Sequence, residues 1–288
     1  MRAARLFAAV AALAFTTACF GGDTAATPRS ALPPLPAPRA AIPREPKRLA
    51  HTLLITTRSL EQAIDRWRAT GNPSVGAPPR DVELLALYHQ RIHRLLRVRD
   101  ALARAVFKLL PSGLARDARA IVGSGKDLRR ITPALKARTI RTKRPLPIGV
   151  LLRHYRDAER RFGVPWQLLA AVNFAESAFG KIRTDSAVGA QGPMQFMPAT
   201  WRAYGLGGNV HDDRDAIMGA GNYLRASGAP RHIRRALFAY NHSSAYVDSI
   251  LRYTTLIERD PRNVYVFYSW QLFVRTEKGD VRVTGPGR

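Results

Sequence analysis

Apolar positions along most of the chain recur three and four residues apart, the spacing of one helix face. Leu49 to Thr70 predicts a helix ended by Gly71-Asn72-Pro73. A second apolar run opens near Asp81, a candidate N-cap, and continues through Leu84, Leu85, Leu87, Ile92, Leu95 and Leu96 to Leu110, where Pro111-Ser112-Gly113 stops it. A shorter helix is expected over Leu114–Val122. Further on, the pattern predicts helices over Ile148–Phe162 and Trp166–Ala178, with Gly163 and Gly180 as stops. A short one begins at Pro198, and others cover Ala216–Ala226, Arg234–Tyr240 and Ala245–Leu256. The period changes in the tail. Val264 to Val274 is β-branched and aromatic, and Lys278-Gly279-Asp280 is a turn before Val281-Arg282-Val283, which together predict a hairpin. The expected fold class is mainly α with a short C-terminal β-hairpin.

The first residues follow another logic. Arg2 and Arg5 precede an apolar run, Leu6 to Phe15, and the small residues Thr16-Thr17-Ala18 lead to Cys19. That order is an export leader, and ten apolar residues are too few for a bilayer span of about 20. Cys19 is the chain's one cysteine and follows a small residue, as in a bacterial lipoprotein signal, so Cys19 is the expected lipidation site and the protein is expected at the cell envelope. Residues 20–46 are rich in proline, read as an extended spacer that builds no core. The expected organisation is a leader over 1–19, a linker over 20–46, basic helices over 47–144, a second helical domain over 145–260 and a tail over 261–288.

Composition adds one large fact, a net charge of +25 over 288 residues. Of this, +17 falls between residues 24 and 144. Such a charge suits nucleic acid, but the export leader points instead to anionic wall polymers or a membrane surface. A single cysteine excludes internal disulfides and Cys-rich metal sites. His89 and His93 stand four apart as in a zinc helix, but Gln90 replaces the catalytic glutamate; the pair is read as a solvated helix face. Gly123-Ser124-Gly125-Lys126 lacks the P-loop's first glycine and its Ser/Thr, so no phosphate cradle is expected. Asp212, Asp213 and Asp215 lack the EF-hand glycine and final glutamate and read as a helix cap. No cofactor and no metal are expected.

The candidate chemistry lies between residues 145 and 260. Leu168, Val172, Ala175 and Phe179 share a helical face, and Glu176 falls at its margin. A carboxyl half-sunk among apolar groups has its charged form disfavoured, so it is suited to act as a general acid near neutral pH. The run Gly189-Ala190-Gln191-Gly192-Pro193-Met194-Gln195-Phe196-Met197 mixes close-approach glycines, apolar faces and amides, the mixture a sugar cleft uses.

Glu176-Ser177, the Gly189–Trp201 run and Ala239-Tyr240-Asn241 resemble the soluble-type lytic transglycosylases, over about Ile148 to Leu256. Gly163-Val164-Pro165-Trp166 and Tyr246-Val247 look like an exported Gram-positive branch of that family. The resemblance implies a lysozyme-like α-helical catalytic domain acting on peptidoglycan. It implies Glu176 as the single acid/base, with Ser177 supporting it and Ser186 at the serine that contacts the N-acetyl group. It implies Gly192, Met194, Gln195 and Phe196 along the cleft, Tyr240 reaching towards the reacting sugar and Asn241 fixing the cleft wall. The loop before Gly189 is one residue longer than usual, so Asp185 competes with Ser186 for the serine position. The implied product is a 1,6-anhydromuramyl end from a monomeric enzyme. The alternatives are a hydrolytic muramidase of the same fold, with Asp185 placing a water, and a non-catalytic wall-binding protein.

Overall fold

The computed structural model describes residues 34–134 and 140–287. The expected leader, Cys19 and the first part of the proline-rich linker lie outside the described residues. Four helices come first: α1 (Pro46–Thr70), α2 (Arg80–Val98), α3 (Asp100–Leu109) and α4 (Ser112–Ile131). Seven follow: α5 (Ile148–Phe162), α6 (Trp166–Ser177), α7 (Pro198–Tyr204), α8 (Asp213–Ala226), α9 (Ile233–Tyr240), α10 (Ser244–Arg259) and α11 (Arg262–Ser269). Strands β1 (Phe273–Thr276) and β2 (Gly279–Arg282) close the chain as an antiparallel hairpin, with Val274 opposite Val281. The fold is mainly helical with a terminal hairpin, as the pattern implies.

The helices share one body. A single apolar core takes Leu60, Ile64 and Trp67 from α1, Val82 from α2 and Ile121 from α4. The same core takes Leu151 and Tyr155 from α5, Leu168 and Val172 from α6, and Ile250 and Tyr253 from α10. A smaller cluster joins α1 to α4 through Leu49, Leu53, Ile92, Leu96, Val106 and Ala118. The longest helix–helix seam runs between α4 and α10. Along it the Ser249 hydroxyl donates to Ser124 O at 3.3 Å, Arg252 pairs with Asp127 and Arg259 with Asp117.

Several local expectations are corrected. The run from Asp81 to Leu110 breaks at Arg99 (φ −129°, ψ 76°), and Asp100 opens α3. Helix α4 continues past Val122 through Gly123-Ser124-Gly125 to Ile131. Ser124 is fully buried in the seam, and a Cβ at Gly125 would sit 3.1 Å from the Arg97 side chain of α2, a tight approach. Val264 to Tyr268 is a turn of α11, not strand. Every residue from Val264 to Ser269 is buried, so the segment lacks the polar face that marks a surface helix. His89 and His93 are not on a solvated face. They are 4% and 3% exposed, with ring centres 4.3 Å apart beside Trp270. The end of the proline-rich stretch is not free of the core either. Ala40 and Ile42 pack on the α1–α4 cluster, Tyr88 donates to Ala41 O, and Arg91 donates to Pro38 O and Ala40 O. Extended backbone leaves carbonyls open, and these donors capture them.

Of the three aspartates only Asp212 caps α8, accepting from the Asp215 N–H at 3.0 Å; Asp213 and Asp215 lie within the helix, and their carboxylates pair with Arg183 and the Asn209 N–H. No helix among the described residues is long and apolar enough to cross a membrane.

Candidate active site

Helix α6 is apolar almost all round, with Leu168, Leu169, Ala170, Ala171 and Val172 fully buried. Beyond Gln167 in its first turn, its polar residues Asn173, Glu176 and Ser177 sit at i, i+3 and i+4, on one side of the last turns. The helix ends in three consecutive left-handed residues, Ala178, Phe179 and Gly180. The Phe179 N–H donates back to Asn173 O, and the Gly180 N–H donates to the Ser177 hydroxyl at 2.8 Å. Two of these residues pay a conformational cost that glycine would not, so the turn is held by its surroundings.

Those surroundings are the loop that follows. Pro193 O accepts from the Ser177 hydroxyl at 2.6 Å and from the Asn173 amide at 2.8 Å. Tyr155 of α5 donates to the Asn173 side-chain oxygen at 2.6 Å. Ser177 is fully buried, so its part is to fasten the loop to α6. The loop is a tight turn. Gln191 and Phe196 exchange two backbone hydrogen bonds of 2.8 Å, and the Gln195 amide donates to Gly192 O. Gly192 has φ 72°, and a Cβ there would meet Val210 O at 1.9 Å. Gln195 takes φ 50°, unusual for a non-glycine residue and held by the same bonds.

Met194 and Phe196 are buried beneath this turn, with Gln195 half-buried at its rim. Phe196 packs edge-on to Trp201, with ring centres 5.1 Å apart, and lies 5.9 Å from Tyr240. Tyr240 of α9 donates to Met194 O at 2.7 Å, joining α9 to the loop. Asn241 ends α9, its N–H on Leu237 O and its own carbonyl accepting from Ser243. Ser186 closes the preceding loop: its hydroxyl accepts from the Ala190 N–H at 2.9 Å, while Asp185 is exposed.

Glu176 receives one side-chain hydrogen bond, from the Tyr246 hydroxyl to Oε1 at 2.6 Å. Burial pushes its carboxyl up to about 7, and the bond from Tyr246 works in the opposite direction. Burial likewise holds the Tyr240 and Tyr246 hydroxyls well above the usual phenol range, so both stay protonated donors. Glu176 can therefore exist in either protonation state near neutral pH, with a fixed donor on one oxygen. One carboxyl so poised can give a proton and take one back.

The structure brings Glu176, Ser177, Gly192, Met194, Gln195, Phe196 and Tyr240 into one region. Three contributors escaped the sequence reading as site residues: Tyr246, Asn173 and Tyr155. The Asn173/Ser177 pair, polar at i and i+4 in an apolar helix, is a signal that could have marked one of them. Tyr246 is 70 positions from its partner and carries no such mark.

Residues 154–258 match the family model described as "Transglycosylase SLT domain". The chain is similar to membrane-bound lytic murein transglycosylase F of Thiobacillus denitrificans (strain ATCC 25259 / T1), 27% identical over 129 residues. That stretch is 42% of this chain and 27% of the relative, so the chain matches little more than a quarter of the relative's length. No solved structure matches the chain. The segment from α5 to α10, with the half-buried Glu176 carboxyl and its fastened loop, is the part of the chain that matches a transglycosylase SLT domain.

Proposed function

We propose that the protein is a peptidoglycan lytic transglycosylase that cleaves the β-1,4 bond between N-acetylmuramic acid and N-acetylglucosamine without water. Residues 145–260 carry the chemistry in this reading. Protonated Glu176 donates to the glycosidic oxygen as the bond breaks. The substrate's N-acetyl group stabilises the cationic centre, and Ser186 stands on the loop that would meet that group. Glu176, now a carboxylate, removes the proton from the muramyl C6 hydroxyl, and that oxygen closes the 1,6-anhydro ring. Substrate-assisted routes that dispense with a second protein carboxylate are established exceptions to the two-carboxylate scheme. Tyr246 steadies the ionised form between the two transfers, which keeps the residue competent as a base.

The observation that carries this reading is the half-buried Glu176 carboxyl with the Tyr246 hydroxyl on its Oε1 at 2.6 Å, where burial pushes it up to about 7. Gln195 lies at the cleft rim in this reading, with Met194 and Phe196 packed beneath it and Gly192 letting the turn close on Val210, and Tyr240 and Asn241 form the opposite wall. We further place the protein at the cell envelope, exported by residues 1–19 and held by a lipid on Cys19. The relative's description as membrane-bound supports this. The monomeric state and the lack of any cofactor belong to the same reading.

Digesting purified peptidoglycan and weighing the fragments tests it. Muramyl ends lacking one water are the expected product, and Glu176→Gln is expected to release none. Reducing muramyl ends would show a muramidase instead, with Asp185 a candidate to place the water. Undiminished release by Glu176→Gln would remove Glu176 from the chemistry, and release by neither protein would leave only a wall-binding role.

A further inference from the structure

Away from the candidate active site, three guanidiniums converge on one carboxylate and a fourth, Arg275, stands opposite it in the hairpin. Asp280, in β2, accepts on Oδ2 from Arg94 at 2.5 Å and Arg97 at 2.9 Å, both of α2. Its Oδ1 accepts from Arg129 of α4 at 2.5 Å. Arg275 of β1 gives its hydrogen bonds to the carbonyls of Arg129 and Thr132, so its charge has no carboxylate partner among the described residues. All five side chains border an inner cavity of about 220 Å3, backed by Phe174 and Tyr253.

A wider hollow of about 630 Å3 shares Arg97, Arg129 and Arg275 with that cavity and adds Lys126 and Arg130 on its rim. The rim cations are matched by Asp100 and Asp127. The inner group is not matched. Four fixed cations face one anion, and the Nε of Arg97 is buried with no acceptor. A buried donor without a partner is costly, and so are like charges crowded away from water. Burial and repulsion from Arg97 and Arg129 already pull Arg94 down to about 10.

We propose that this basket is a binding site for a soluble phosphate dianion, inorganic or carried on a small phosphomonoester. The excess exceeds one charge, which a carboxylate would leave unbalanced. Planar guanidinium forks pair two-pronged with phosphate oxygens. The basket is recessed: the Arg97 and Asp280 side chains are 13% and 19% exposed. A headgroup held in a bilayer plane does not reach such a floor, whereas a free phosphate does. The site stands on residues 94–130 and 275–280 and is independent of the transglycosylase reading.

Isothermal titration calorimetry of the full chain at low salt and pH 7.5, with inorganic phosphate and separately with glycerol 3-phosphate, tests the site. Saturable single-site binding is expected, weakened at least about tenfold by Arg275→Gln. Arg275 also ties down the end of α4, so Lys126→Gln, on the exposed rim, serves as the variant that spares the fold, with a loss of about threefold. Arg202→Gln, exposed on α7, is expected to bind as the parent does. Four results would overturn the proposal: no saturable heat, an affinity unmoved by Arg275→Gln and Lys126→Gln alike, acetate binding as well as phosphate, or adsorption to phosphatidylglycerol vesicles without binding of either soluble phosphate.

Discussion

Replacing Glu176 with Gln should stabilise the protein while silencing it, and only over part of the pH scale. A carboxyl whose ordinary value is 4.5 is held at about 7 in the folded chain, chiefly by burial. The folded state therefore resists ionisation that the unfolded chain permits. Below pH 4.5 the group is protonated in both states and contributes nothing. Between pH 4.5 and 7 the unfolded chain ionises first, so folding loses free energy as the pH rises. Above 7 the loss is complete and constant, at most about 3 kcal/mol for a displacement of this size. Glutamine keeps the shape and still accepts the Tyr246 hydrogen bond, but never ionises. At pH 8 it should raise Tm by up to about 10 °C, at the 2–4 °C per kcal/mol typical of chains this long. At pH 4.5 the two proteins should melt together. Calorimetric melting at pH 4.5, 6 and 8 is the assay, with peptidoglycan digestion run alongside. A Tm difference equal at all three pH values, or a variant less stable at pH 8, would refute burial as the origin of the raised carboxyl.

Tyr246→Phe removes a hydrogen bond to the ionised carboxylate, worth about 1.5–3 kcal/mol. The alkaline limb of the pH–rate profile should move up by about one to two pH units, and an unmoved limb would detach Tyr246 from the site. Gly192→Ala should cost about 1–3 kcal/mol in urea unfolding, because its Cβ would sit on Val210 O. Gly163→Ala, equally left-handed but with nothing within 4 Å, should cost clearly less. His93 is held at about 4 by burial, so the protein should lose at most about 3 kcal/mol as the pH falls from 6.5 through 4. His93→Leu should shrink that acid limb, with His89, likewise held low by burial, supplying the remainder, as measured by urea unfolding at pH 7 and 4.5.

The helices were legible where one face is buried and the other is wet. Ile148–Phe162 keeps that contrast, and its expected limits match α5. Val264–Tyr268 does not: buried on all sides, it offers no polar stripe, and its β-branched and aromatic residues suggest a strand. Gly123-Ser124-Gly125 has the composition of a helix stop, yet α4 runs through it, with Ser124 fully buried against Ser249 of α10. Whether a small residue breaks a helix or permits a seam is decided by a partner more than a hundred positions away. The same holds for His89 and His93, whose spacing says helix but whose burial depends on Trp270. At the candidate site, Glu176 and the Gly192–Phe196 turn were visible because they are local. Tyr246 was not, because the bond that matters crosses from α10 to α6.

The seam between α4 and α10 has a consequence for anyone wishing to move this domain. The stretch that carries the recognisable motifs ends at residue 258, but α10 is only half-clad by it. Cut away the earlier helices, and Ser249, Arg252 and Arg259 lose their counterparts on α4, while Leu168, Val172 and Ile250 share their core with fewer neighbours. A graft into a foreign scaffold must therefore bring Pro46 to Ile131 along, so the unit to transplant is set by shared interior rather than by where sequence similarity stops.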